Sequence, residues 1–84
     1  MPVLSRFYGI IIRMYFQQAE HNPPHLHAIY NEYIAVISLI DFTVIEGELP
    51  SKALTLVLEW MKLHKEDLLE IWETQIFKQL DPLK

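Results

Sequence analysis

From Phe7 to Phe16 the even positions are apolar (Tyr8, Ile10, Ile12, Met14, Phe16), with Gly9, Ile11, Arg13 and Tyr15 between them. A period of two in a run rich in β-branched and aromatic residues predicts a strand with one buried face. Pro23 and Pro24 cannot donate to a β-ladder, so residues 20–25 read as a rigid connection that launches a second strand over residues 25–30. Asn31-Glu32 has the spacing of a two-residue hairpin turn into a third strand over residues 33–40. Asp41-Phe42-Thr43 turns the chain again, and residues 44–49 make a short fourth strand in which Gly47 marks a bulge or an end.

The period then changes. Ser51 reads as an N-cap, after which Leu54, Val57, Leu58 and Met61 recur at helical spacing as far as His64, with Trp60 beside them. Glu66 and Asp67 suit the N-terminal dipole of a second helix, whose apolar stripe is Leu68, Leu69, Trp72, Ile76 and Leu80 before Pro82. The expected fold is α+β: a four-stranded antiparallel β-meander followed by two α-helices packed on one face, as a single domain over residues 1–84.

A two-residue turn at Asn31-Glu32 pairs Tyr30 with Tyr33, Ala28 with Ala35 and Leu26 with Ile37, which makes theirs the core face. On the opposite face His27 falls across from Val36 and His25 across from Ser38. Arg13 and Tyr15 join them if the first strand neighbours the second. A slip of one residue reverses the whole assignment.

The chain has 84 residues, about half of them apolar, which suits one core. It has no cysteine, so a disulfide framework and a thiolate zinc site are excluded and a reducing cytoplasm is the expected home. Arg6 and Arg13 interrupt the apolar N-terminal stretch, and no run reaches the ~20 apolar residues of a spanning helix, so no export signal or membrane anchor is expected. Seven Lys and Arg against eleven Asp and Glu give a net charge of −4. That sign disfavours nucleic acid as a partner, although a local basic pocket could still act.

His21, His25 and His27 crowd seven positions around the Pro-Pro pair, and three readings compete for them. A metal could bridge the H-x-H pair with His21 or a carboxylate completing the shell, but no Asp or Glu accompanies the pair on its strand, and no metal or other cofactor is expected. Acid/base chemistry on RNA needs a histidine near neutral pKa, a second proton-transfer group and a cation, an inventory met by His25, His27 and Arg13. The third reading is structural: the rings satisfy backbone groups left unpaired by the two prolines. Tyr15, Ser38 and His21 are candidate binding groups beside the catalytic candidates Arg13, His25 and His27. Trp60 and Trp72 read as core anchors, and His64, at the junction of the helices, as a cap.

Three segments look familiar: "SRFYGIIIRMYF", "HNPPHLHAIYNEYIAVISL" and "EGELPSKALTLVLEWMKLHKEDLLEIWE". In this order they resemble the DUF4160 family of small bacterial proteins, most specifically in Arg6-Phe7-Tyr8-Gly9, His21-Asn22-Pro23-Pro24-His25, His27-Ala28, Glu46-Gly47 and Leu49-Pro50. Members of that family are often encoded beside a small DUF2442 protein, as in toxin-antitoxin operons. The resemblance therefore implies an interaction module with such a partner, and carries Arg13, His21, His25 and His27 over as functional positions. The alternative is a histidine-dependent, metal-independent ribonuclease or phosphodiesterase, acting as the toxic half of the pair.

Association has a second, independent basis. Two helices cover one face of a four-stranded sheet, yet the other face still carries Ile11, Ile29, Ile34 and Val36. Such a patch predicts a homodimer or a heteromer that buries Ile34 and Val36, unless the C-terminal segment folds back and fills it with Phe77 and Leu80.

Overall fold

The computed structural model describes residues 3–14 and 24–83. Five strands, β1 (Val3–Phe7), β2 (Ile10–Arg13), β3 (His25–Tyr30), β4 (Tyr33–Ser38) and β5 (Val44–Gly47), precede two helices, α1 (Ser51–Leu63) and α2 (Lys65–Thr74). The strands lie in one sheet in the order of the chain, each antiparallel to the next. The α+β meander and its two helices are therefore as the sequence predicts, but the sheet has five strands and not four.

The extra strand comes from Tyr8-Gly9, where the expected single strand is instead a hairpin. Both residues have positive φ, 50° and 80°, the backbone of a tight turn whose twist matches that of the flanking strands. Gly9 supplies its position without strain. Tyr8 holds the left-handed conformation with a side chain that rarely adopts it. A two-residue turn pairs residues three apart and so inverts the parity of the alternation: odd-numbered Phe7 pairs with even-numbered Ile10 and both are buried.

Asn31, also at positive φ, turns β3 into β4 in the expected register, with Tyr30 opposite Tyr33, Ala28 opposite Ala35 and Leu26 opposite Ile37. Leu26, Ala28, Ala35 and Ile37 are fully buried, as are Ile12 and Met14. They join Val57, Trp60 and Met61 of α1 and Leu68, Ile71 and Trp72 of α2 in one apolar cluster. Past Ser38 the chain turns over Asp41, whose carboxylate accepts from the Thr43 hydroxyl at 2.8 Å and the Thr43 amide at 3.3 Å. Those two bonds hold the Asp41 carboxyl below its ordinary pKa.

Two helix boundaries differ from expectation. Pro50 takes the N-cap position and Ser51 is the first residue of α1; the proline ring has no side-chain acceptor for a cap bond, and its carbonyl accepts the Leu54 amide at 2.9 Å. The apolar stripe of the second helix was expected to run to Leu80, but α2 stops at Thr74 and Gln75 takes a left-handed φ of 59°. That reversal sends the tail back along the sheet edge, where the Leu80 amide donates to the Leu4 carbonyl at 2.7 Å and Leu83 enters the core. Ile76, outside the helix, is 71% exposed. At the helix junction the His64 backbone amide bonds to the carbonyls of Trp60 and Met61, while its ring lies 4.9 Å from that of Trp60.

Candidate functional site

The register places four side chains in one row across the sheet: Arg13 of β2 opposite His27 of β3, His27 opposite Val36 of β4, and Val36 opposite Glu46 of β5. Side chains two apart on a strand share a face, so His25 stands next to His27, and their ring centroids are 5.5 Å apart. His25, His27 and Arg13, expected together from the pattern alone, are brought together. Tyr15 and His21 lie outside the described residues.

Ser38 sits opposite His25 as expected, but the residue is 4% exposed and its hydroxyl accepts the Ile40 amide at 3.1 Å. In this arrangement it staples the turn that follows β4. The helices also reach the histidines: the Trp72 ring of α2 lies 5.1 Å from that of His25. His25 is therefore wedged between His27 and a core tryptophan. Nothing in the spacing of α2 signals this contact, because which end of the sheet a helix crosses is set by packing and not by periodicity.

The electrostatics give His27 a direction. Its pKa is lowered, first by burial and then by the neighbouring His25, with Glu46 two strands away opposing both. At neutral pH the ring is uncharged and able to accept a proton. The Arg13 Nε, also buried, has no hydrogen-bond partner among the described residues. A fixed cation beside a neutral imidazole can hold an anion and move a proton at it. No group of three or more His, Cys, Asp and Glu among the described residues is arranged to hold a metal ion.

A depressed histidine pKa has a consequence for stability. Below its unfolded value of about 6.5 the unfolded chain takes up a proton that folded His27 resists, so stability is fullest above that pH and falls as the pH drops toward the folded pKa. Thermal unfolding from pH 7.5 down to 5 is expected to show a falling midpoint whose slope flattens in His27→Gln. Parallel curves for the two proteins would assign the slope to other groups.

The apolar members of the same face form a second feature. Ile11, Ile29 and Ile34 make the adjacent cross-strand row, flanked by Arg6, and Ile34 is 53% exposed. Phe77 and Leu80, which could have filled this patch, pack against the core cluster instead. Beyond β4 lies β5, an edge strand exposed along its whole length, with Val44 and Ile45 37% and 48% exposed.

Among the described residues no helix is long and apolar enough to cross a membrane. No curated protein and no solved structure matches the chain. One family profile does, over residues 9–73, which includes β2 to β5, α1 and nearly all of α2. The chain thus belongs to the family described as a domain of unknown function, DUF4160.

Proposed function

We propose that this domain is a cytoplasmic protein-interaction module of a bacterial two-protein unit, organised like a toxin-antitoxin pair, with a small DUF2442-type protein or a second copy of the chain as its partner. The observation that carries the reading is the sheet face opposite α1, where Ile11, Ile29, Ile34 and Val36 adjoin one another and Ile34 stays 53% exposed with the C-terminal tail packed elsewhere. A contiguous apolar patch on so small a domain is a contact surface by default. The open β5 edge supports the same reading, since it presents ladder groups with neither lysine nor proline within the strand to deter pairing. The test is co-expression with a small DUF2442-type protein. A stable complex is expected to co-purify with the native chain and to be lost with Ile34→Glu. Failure of the native chain both to capture that protein and to self-associate would overturn the reading.

The Arg13–His27 pairing supports a second reading, a metal-independent phosphodiesterase or ribonuclease in which neutral His27 takes a proton and Arg13 meets the developing phosphorane charge. Cleavage of RNA should then persist in chelator with a bell-shaped pH profile, and Arg13→Ala should lower the rate by about 10²-fold or more. Cleavage that survives Arg13→Ala and His27→Ala unchanged belongs to a contaminant.

A further inference from the structure

A cavity of about 580 Å³ opens at the far end of the strands from His25, between the β1–β2 hairpin and the start of α1. On β3 alone the distance from His25 to Tyr30 is five residue steps, roughly 17 Å, so this is a separate place from the histidine row. We propose that the cavity is a binding site for a small planar aromatic molecule carrying one anionic group.

Its volume lies in the range of small-molecule pockets. Buried Ile10 and Ala53 supply apolar lining, and the part-buried Leu56 and the Tyr30 ring add to it. Gly9 lets the hairpin backbone lie against that ring: a Cβ at Gly9 would stand 3.4 Å from Tyr30 Cε1. Tyr8 also lines the cavity, so two phenols adjoin the space, as suits a flat aromatic guest.

Two observations go beyond shape. Tyr8 is 59% exposed and holds φ at 50°, a turn position that Asn, Asp or Gly would fill with less strain. An exposed aromatic ring kept in a sparsely populated backbone region is a cost that packing within the chain does not explain. The second is charge. Among the described residues, Lys52 is the one charged residue lining the cavity and Ser51 adds a hydroxyl, while no carboxylate lines it and the first turn of α1 has no acidic residue. In a chain with eleven acidic residues against seven basic ones, that local balance selects an anion.

The test is titration of the ¹⁵N-labelled chain with 1-naphthyl phosphate, with 1-naphthol and inorganic phosphate as the neutral and ring-free counterparts. Naphthyl phosphate is expected to shift the amides of Gly9, Tyr30 and Lys52 saturably, binding at least tenfold more tightly than either counterpart. Lys52→Glu should weaken it at least tenfold. Tyr8→Asn should weaken it severalfold while raising the thermal midpoint, because it relieves the turn. Absence of saturable shifts at these residues, naphthol binding as tightly as the phosphate, or equal affinity in the native chain and both variants would each overturn the proposal.

Discussion

Trp60→Ala is expected to remove about 3–5 kcal/mol of stability, the usual range for deleting a large aromatic side chain from a core. Trp60 is fully buried, with its ring 5.6 Å from that of Phe7 in β1 and 4.9 Å from that of His64 at the helix junction. Its indole N–H donates to the Asp81 carbonyl at 2.8 Å, which ties α1 to the C-terminal tail. One side chain thus joins the first strand, the helix junction and the tail. Domains of this size have roughly 5–15 kcal/mol in total, so the variant is left marginal. Trp60→Phe keeps most of the packing and leaves the carbonyl without its donor, and is expected to cost about 1–3 kcal/mol. Urea unfolding measures both, and an alanine variant within 1 kcal/mol of native would refute this account of the core.

Gly47→Ala is the second large effect. Gly47 has φ of 79°, and a Cβ built there would stand 2.0 Å from the Ile34 carbonyl oxygen. That oxygen accepts the Glu48 amide at 3.1 Å, so the backbone of β4 and the end of β5 close on each other where only a hydrogen atom fits. The left-handed φ and the clash together are expected to cost about 2–4 kcal/mol. Because β5 is exposed along its length, the strain should be relieved by peeling this edge from β4 rather than by global collapse. Amide exchange at Glu48 should accelerate while exchange in β3 changes little. Gly9→Ala makes the contrast: its φ is also positive, at 80°, but the nearest atom to its Cβ is a Tyr30 ring carbon at 3.4 Å, and about 1 kcal/mol is expected. Equal costs at the two glycines would contradict the close approach at Gly47.

What the sequence made legible depended on whether a local signal carried the decision. Asn31-Glu32 fixed the β3–β4 register because both strands have one buried face, so a slip would have put Leu26 and Ile37 in water. The same alternation brought Arg13 to His27. Tyr8-Gly9 escaped because a tyrosine in the first turn position, even-numbered like Ile10 and Ile12, reads as one more inward residue of their strand. The end of α2 escaped for another reason. Ile76 and Leu80 continue the helical spacing, but the tertiary gain of seating Leu83 in the core and pairing Leu80 with Leu4 outweighs propensity in the last turns. The contact of Trp72 with His25 had no local signal at all, since it joins residues distant in the chain through helix placement.

Light scattering across a dilution series tests the interaction reading most directly, on the purified chain and on the chain co-expressed with a small DUF2442-type protein. The reading predicts a mass above that of the monomer in at least one of these samples, reduced to the monomer by Ile34→Glu and by Val36→Glu with unfolding curves like that of the native chain. A strictly monomeric native chain that accepts both charges and leaves the DUF2442-type protein unbound would contradict it.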